Sequence, residues 1–305
     1  MPVSESPISS QELLDQITSI SVWKRGDQRA PHKPLLLLLA LAAIQRGEPR
    51  LIAYRDIDQP MAHLLETFGR RSSQQGAMYP FWHLQSDGIW EVGDKAALEA
   101  ARGERKNTKH IPAAILRDTD AHAGFTRQIY EALRKDGKLL VLVADAILQA
   151  HFPDSIQRDI RDAVGLSFEM STLRARRDPQ FRETILRIYE RRCAVCGYDG
   201  RLRTSELGIE AAHVRWHTHG GPDTPDNGIA LCSFHHKLFD LGAIGLTEDL
   251  TIRVSQDVNG STGVNEWILA YVGRPLRRPQ SGQPPPGRVH VLWHGNEVFK
   301  APARL

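Results

Sequence analysis

The chain has 305 residues, of which 41% are hydrophobic, and a formal net charge of +3. This length and apolar content suffice for two modest hydrophobic cores. The small net charge excludes a protein that is held on nucleic acid by a global basic field. The longest apolar run, residues 35–44, is too short to span a membrane and predicts a buried helix with Pro34 in its first turn.

The first half of the chain alternates helical patterns with short strand patterns. Segments 81–84 and 88–92 are typical of strands, and residues 85–87 between them predict a hairpin turn. We therefore expect an α+β protein whose N-terminal domain, residues 1–165, is mainly helical with a short β-hairpin. An exposed linker over 166–178 then leads to a C-terminal domain over 179–305. Hydrophobic spacing predicts helices over 10–20, 34–46, 60–68, 125–135, 139–151 and 154–162.

All three cysteines of the chain lie in one short region of the second half. Cys193 and Cys196 have the C-x2-C spacing of a tight knuckle turn, and Cys232 and His235 have a C-x2-H spacing typical of the first turn of a helix. Two such pairs supply the four ligands of a closed, structural zinc site. The alternative is three free buried cysteines and an unrelated histidine. Clustered cysteines without a signal peptide favour a reducing compartment, so we expect a cytoplasmic bacterial protein.

A second set of polar residues surrounds the cysteines. Adjacent residues of a helix point about 100° apart, so His236 faces a different surface from His235. Asp240 shares that second surface because it lies four residues after His236. An imidazole and a carboxylate on one helical face can bind a hard divalent ion such as Mg²⁺ or Mn²⁺. His213 lies in a strand-like segment, and Asn227 follows a loop rich in glycine and proline.

These residues resemble the HNH nuclease family over roughly residues 178–245. The family motif is a histidine, an asparagine and a histidine on a strand–loop–strand–helix unit, the ββα-metal fold. Here it corresponds to His213, Asn227 and His236. The resemblance implies a DNA endonuclease in which His213 is the general base and Asn227 orients that histidine or braces the loop. It also implies a divalent metal ion on His236 and Asp240, and products with 5′-phosphate ends.

The sequence departs from the family pattern just before the general base. Many family members have a metal-ligating Asp or His where this chain has Ala212. Glu210, two residues earlier on the same strand face, is the candidate replacement for that ligand. The alternative is that Glu210 is an ordinary surface glutamate and that Ala212 marks an inactive site.

Two motifs in the first half resemble the sulfur-binding domain of restriction endonucleases that cut phosphorothioate-modified DNA. They are Ala-Pro-His-Lys-Pro-Leu over 30–35, and Met-Tyr-Pro-Phe-Trp-His-Leu-Gln over 78–85 followed by Asp-Gly-Ile-Trp-Glu over 87–91. The resemblance implies a shallow apolar pocket in which the sulfur lies beside a tyrosine ring and a proline ring. Without it, residues 79 and 80 are a plain turn into a core strand. The residues implied to contact the modified linkage or its neighbouring phosphates are Tyr79, Pro80, His83, His32, Lys33 and Arg105.

Polar and basic segments accompany both motifs. Arg70, Arg71 and Gln75 lie in a loop before Tyr79 and have side chains of the types that recognise base edges. Residues 174–192 contain seven arginines and three acids. Residues 273–288 contain four arginines and no acid. Both segments predict surfaces that face phosphates.

Together these features predict a modification-dependent restriction endonuclease that recognises phosphorothioated double-stranded DNA and hydrolyses nearby phosphodiester bonds. The expected cofactors are a structural Zn²⁺ and a catalytic Mg²⁺ or Mn²⁺. No membrane partner is expected, and a homodimer stays open. Two alternatives are HNH nucleases that recognise a modified base or an unmodified sequence. A third is a non-catalytic zinc-knuckle protein that binds DNA.

Overall fold

A computed structural model describes residues 8–20, 30–69, 76–103, 110–167 and 179–304. By their contacts, the described residues form two compact units. The first contains residues 8–20, 30–69, 76–103, 110–152 and 157–167, and the second contains residues 153–156 and 179–304. The domain bounds at 165 and 178 stay a prediction, because most of the linker lies outside the described residues.

The first unit is mainly helical and contains a small antiparallel sheet. In that sheet β3 is central and pairs with both other strands. The strands are β1 (Ile52–Ala53), β2 (Trp90–Val92) and β3 (His122–Phe125). The helices are α1 (Ser10–Thr18), α2 (His32–Gln45), α3 (Tyr54–Phe68), α4 (Met78–His83), α5 (Lys95–Arg102), α6 (Ala113–Asp118), α7 (Arg127–Lys135), α8 (Gly137–His151) and α9 (Asp154–Val164). The first three residues of α9, 154–156, belong to the second unit.

Helix α2 lies at the centre of the core of the first unit. Residues 35–38 are fully buried, and the burial continues almost unbroken to Ile44. The helix is therefore apolar on all sides, as expected of an element enclosed by neighbours. Helices α3, α4, α7 and α8 pack against it. Lys33, in the first turn of α2, contacts Asp87 at 2.6 Å, so the start of α2 lies near the 3-10 turn that follows α4.

The predicted β-hairpin over 81–92 is wrong. Residues 81–83 belong to α4, and a 3-10 turn over Leu84–Asp87 follows. Strand β2 pairs instead with β3, with Trp90 opposite Phe125. A short apolar run does not distinguish a strand from a buried helix. The helix and the turn after it bury Phe81, Trp82 and Leu84 together. A strand with alternating faces would not bury all three on one side.

The second unit contains paired short strands and helices. The strands pair antiparallel in sequential couples, β4 with β5, β6 with β7 and β8 with β9. They are β4 (Arg201–Leu202), β5 (Ser205–Glu206), β6 (Ile209–His213), β7 (Gly228–Cys232), β8 (Ile244–Leu246) and β9 (Ile252–Val254). The helices are α10 (Pro179–Ile188), α11 (Ser233–Asp240), α12 (Val264–Trp267) and α13 (Arg288–Glu297).

The segment β6–loop–β7–α11 confirms the predicted ββα unit. Strand register places Ile209 opposite Cys232 and His213 opposite Gly228. Helix α10 covers both strands with an apolar face. It approaches so closely that a Cβ atom on Gly228 would lie 2.3 Å from the side chain of Ile185. Any side chain at the start of β7 would therefore displace Ile185 from its place against the strand, next to the loop that carries Asn227.

No helix in the described parts of the chain is long and apolar enough to cross a membrane.

Candidate nuclease and DNA-recognition sites

A Cys₃His cluster joins the turn after α10 to the start of α11. The ligand atoms of Cys193, Cys196, Cys232 and His235 all lie within 4.8 Å of one another. Nδ1 of His235 is 3.1 Å from Sγ of Cys232 and 3.7 Å from Sγ of Cys193. Four soft or borderline ligands at this spacing can hold a metal ion with no open position. The structure thus brings together all four residues that the sequence predicted.

Two features near the cluster act on His235 and on Cys193. The other ring nitrogen of His235, Nε2, lies 3.0 Å from the carbonyl oxygen of Trp267. This contact fixes the imidazole tautomer that leaves Nδ1 facing the sulfur atoms. The neighbouring Cys196 and Cys232 lower the pKa of the Cys193 thiol, which favours the thiolate. Gly197 supports the turn with a left-handed φ of 77°.

His213, at the end of β6, is held on two sides. Its ring stacks on Phe181 of α10, with centroids 4.1 Å apart and planes 12° from parallel. Its Nε2 lies 2.6 Å from Oδ1 of Asp223 in the loop between β6 and β7. The His213 side chain is 12% exposed, so it remains accessible from solvent. Sequence reasoning missed Asp223, because an acid in a Gly-Gly-Pro-Asp loop is a normal turn residue.

Asn227 braces the loop rather than contacting the histidine ring. Its Oδ1 accepts a hydrogen bond from the backbone N–H of Arg215 at 2.8 Å. Its Nδ2 donates to the carbonyl oxygens of Arg215 at 3.0 Å and Pro222 at 2.9 Å. The side chain is fully buried. Of the two roles that the resemblance left open for Asn227, these contacts favour bracing of the loop.

His236 lies between two carboxylates. Its Nδ1 is 2.6 Å from Oε2 of Glu210 on β6, and its Nε2 is 3.2 Å from Oδ2 of Asp240. Asp240 also accepts a hydrogen bond from the indole N–H of Trp216 at 2.9 Å. Burial disfavours the charged imidazolium, but the carboxylates of Asp240 and Glu210 outweigh it and raise the pKa of His236 to about 9.

Glu210, His236 and Asp240 have side chains whose chemistry suits a hard cation. Two carboxylates flank one imidazole, and the pKa of the buried Asp240 stays low because His236 outweighs the effect of burial. Such a donor set suits a divalent ion that replaces the imidazolium proton. In the structure, however, the three residues form a row with His236 in the middle. Among the described residues, only the Cys₃His cluster gathers three or more ligand atoms within 4.8 Å.

An aromatic cluster lies around the predicted sulfur pocket in the first unit. Tyr79 and His83 are one turn apart on α4, with ring centroids 4.3 Å apart. His110, which the sequence did not indicate, lies 6.0 Å from Tyr79 and 6.5 Å from His83. Pro80 is buried, whereas Tyr79 is partly exposed. Tyr79 and His83 are four residues apart, a spacing that brings two rings together only on a helix. The sequence therefore did not predict their contact, because this segment was expected to begin a strand.

His32 and Lys33, the two predicted basic residues at the start of α2, differ in charge: the first is neutral and the second is paired with a carboxylate. Burial lowers the pKa of His32 to about 4, so its ring is neutral near pH 7. Burial, followed by the nearby His110 and Lys33, lowers the pKa of His83 as well. The ammonium group of Lys33 lies 2.6 Å from the carboxylate of Asp87, and the two side chains are only 11% and 5% exposed. The charge of Lys33 is therefore partnered within the unit.

Some predicted site residues lie outside the described residues. They are Arg70, Arg71, Gln75 and Arg105. In the basic segment over 174–192, Arg191 contacts the carboxylates of Glu183 and Glu206 at 2.5 Å each. Arg191 thus stabilises the knuckle region, whereas Arg182 and Arg187 are exposed on α10.

The chain combines an HNH endonuclease domain with a DNA-recognition domain. Residues 193–247 match the family model of the HNH endonuclease. Residues 10–169 match that of the ScoMcrA-like DNA sulfur-binding domain. Because the second match spans more than half of the chain, the chain belongs to the family of proteins with a ScoMcrA-like DNA sulfur-binding domain. Both resemblances drawn from the motifs are confirmed.

Several solved structures are similar to this chain. The sulfur-binding domain of ScoMcrA complexed with phosphorothioated DNA is 23% identical, with a TM-score of 0.43, and the match covers 50% of this chain and 94% of that chain. The corresponding SprMcrA domain is 22% identical, with a TM-score of 0.42, over 52% of this chain and 95% of that chain.

A larger solved structure is also similar, the type IV phosphorothioation-dependent restriction endonuclease ScoMcrA. It is 20% identical, with a TM-score of 0.41 over 61% of this chain, and the match covers 34% of its own length. No curated protein matches the chain significantly. None of these similarities supports a homodimer.

Proposed function

We propose that this protein is a restriction endonuclease that binds phosphorothioated double-stranded DNA through its first unit and cleaves a nearby phosphodiester through its second. The observation that carries the proposal is the assembly of His213, Asn227 and His236 on one ββα unit, in a chain that also has a DNA sulfur-binding domain. The contact between Glu210 and His236 argues against the inactive site that Ala212 raised as an alternative.

Recognition of sulfur follows from the chemistry of the pocket. A non-bridging sulfur is larger, softer and less strongly hydrated than the phosphate oxygen it replaces. The partly exposed Tyr79 ring offers it dispersion contacts, and the buried Pro80 is the next residue of α4. The neutral forms of His32 and His83 keep charge away from this surface. An ordinary phosphate oxygen loses water in the same place without an equivalent gain, so the pocket discriminates partly by penalising oxygen.

Cleavage requires a base and charge stabilisation at phosphorus. His213 takes a proton from a water molecule while the water oxygen bonds to phosphorus. The bond from phosphorus to the 3′ oxygen breaks, and that oxygen takes a proton, which leaves 5′-phosphate and 3′-hydroxyl ends. Glu210, His236 and Asp240 are the residues that would hold Mg²⁺ or Mn²⁺. When bound, this ion would neutralise charge that develops on the phosphate oxygens.

The Cys₃His cluster would hold a structural zinc ion. Its site is closed by four protein ligands, so it has no position for substrate. The ion would tie the turn after α10 to the start of α11 and so fix the helix that carries His236. Loss of the ion would therefore disturb catalysis through folding.

Metal-dependent cleavage by full-length protein tests the nuclease part of the proposal. Plasmid that carries phosphorothioate should be cut with Mn²⁺, and end-labelling should show 5′-phosphate ends. His213→Ala should lower the rate by about 10²–10⁴-fold while DNA affinity stays nearly unchanged, because a general base acts in the transition state. Cleavage by His213→Ala at the wild-type rate would remove His213 from the mechanism.

The recognition part is tested separately by binding. Tyr79→Ala should reduce the difference in affinity between duplexes with and without one sulfur atom by about 1–3 kcal/mol. Tyr130→Ala, on another helix of the same unit, is the control, and it should leave the difference intact. Equal affinity of the wild-type protein for both duplexes would favour recognition of a modified base or of an unmodified sequence instead.

A further inference from the structure

Asp223 makes a contact for which the mechanism above gives no role. Its Oδ1 atom lies 2.6 Å from Nε2 of His213. The two side chains are 30% and 12% exposed, so the contact is partly shielded from solvent. The His213 ring is also stacked on Phe181 and cannot turn freely away from the carboxylate.

The chemistry of this pair bears on a general base. A neutral imidazole has one N–H donor and one acceptor nitrogen. A carboxylate at Nε2 accepts the N–H there, so the other nitrogen, Nδ1, becomes the acceptor that receives a proton. The same carboxylate stabilises the imidazolium that forms once the proton has been taken from water.

The loop that carries Asp223 is held by Asn227. The Nδ2 group of Asn227 donates to the carbonyl oxygen of Pro222, the residue immediately before Asp223, at 2.9 Å. The adjacent Gly221 leaves no room for a side chain, since a Cβ atom there would lie 1.8 Å from the carbonyl oxygen of Arg215. Asn227 and the tight turn at Gly221 together fix where the Asp223 carboxylate stands.

We infer that Asp223 is a positioning residue that fixes the tautomer and orientation of His213, and that Asn227 acts on catalysis through Asp223. This inference rests on the proposed nuclease function. It connects the asparagine of the HNH motif to the general base by a continuous path. The path runs from Asn227 through the Pro222 carbonyl to Asp223 and then to Nε2 of His213.

Single-turnover cleavage by the full-length protein tests the inference, with a phosphorothioated duplex and Mn²⁺. Asp223→Asn keeps the size of the side chain but removes its charge, and Asp223→Glu restores a carboxylate. Asp226→Asn is the matched control, because Asp226 is an acid of the same loop that lies 3.7 Å from His290 rather than beside His213. DNA affinity and the thermal midpoint are measured for every variant.

We expect Asp223→Asn to lower the maximal cleavage rate about 10–100-fold, with DNA affinity and thermal midpoint unchanged. Asp223→Glu should recover part of this rate, and Asp226→Asn should cleave like the wild type. The acidic limb of the pH–rate profile should move to lower pH in Asp223→Asn, because the anion beside His213 is removed. The other titratable ring near His213, that of His217 at 5.8 Å, is unchanged in this variant. A merely structural role would not move that limb.

The link to Asn227 is tested by a double variant. Asn227→Ala and Asp223→Asn should each lower the rate, and together they should lower it no more than the stronger single variant, since both act on His213 by one path. Multiplying effects would overturn the link. A wild-type rate in Asp223→Asn would overturn the inference alone, whereas no cleavage by the wild-type protein would overturn the proposed function.

Discussion

Glu210 of β6 reaches across to His236 of α11, and its Oε2 atom lies 2.6 Å from Nδ1 of the histidine. Ser233 donates a hydrogen bond to the other carboxylate oxygen at 2.8 Å and orients the glutamate. In the proposed catalytic site, Glu210 would supply the carboxylate that the sequence lacks at Ala212, from two residues earlier on the same strand.

Glu210→Gln should therefore impair use of the catalytic ion. We expect the maximal cleavage rate to fall about 10–100-fold and the Mn²⁺ concentration for half-maximal activity to rise. Glu206→Gln is the control, because Glu206 contacts Arg191 rather than His236. A Glu210→Gln protein with the Mn²⁺ dependence of the wild type would show that Glu210 is an ordinary surface residue.

Cys196→Ser should release zinc and unfold the second unit, because a closed metal site contributes its binding free energy to folding. Metal analysis of the purified protein and circular dichroism measure the two effects. His236→Ala should retain its zinc, since His236 lies outside the Cys₃His cluster. If His236→Ala lost zinc while His235→Ala retained it, the assignment of the two histidines would be reversed.

Removal of one partner from the buried pair of Lys33 and Asp87 should destabilise the first unit. Lys33→Met leaves the Asp87 carboxylate buried without its ammonium partner and should cost about 3 kcal/mol of unfolding free energy. The double variant Lys33→Met with Asp87→Asn should recover at least half of this loss in urea unfolding. Additive losses would show that the pair is not coupled.

The first unit should lose stability as the pH falls, in part through His32. Its pKa is about 4 in the folded protein against 6.5 for an unperturbed histidine. The unfolded chain therefore binds more protons between these values, and acid favours it. As the pH falls from 7.5 to 5, this histidine should lower the free energy of unfolding by about 2 kcal/mol. His32→Leu should show a correspondingly shallower pH dependence in urea unfolding, and an unchanged slope would contradict the burial of a neutral His32.

The sequence predicted the nuclease site better than the recognition domain, for physical reasons. The zinc pairs and the HNH residues lie within short spacings on one strand–loop–strand–helix unit, so local geometry determines most of their arrangement. Asp223 was missed because its role depends on how Asn227 folds the loop back onto His213. No spacing rule contains that contact.

In the first unit, the fold of residues 78–92 depends on contacts with distant segments, which the local sequence pattern does not contain. Strand β2 finds its partner in β3, about thirty residues later, rather than in a neighbouring hairpin strand. The apolar segment before it became α4 and a 3-10 turn, which together bury Phe81, Trp82 and Leu84. That change also places Tyr79 and His83 on one helical face, where they meet His110 from a distant segment.

The central claim is that a sulfur atom in the DNA backbone directs cleavage. Cleavage by the full-length protein should be measured on two duplexes of identical sequence, one with a single stereodefined phosphorothioate on each strand and one without, in Mn²⁺ at physiological salt. We expect cleavage of the sulfur-containing duplex near the modification, and little cleavage of its oxygen counterpart. Equal rates on both duplexes, for each sulfur configuration and several sequence contexts, would contradict it.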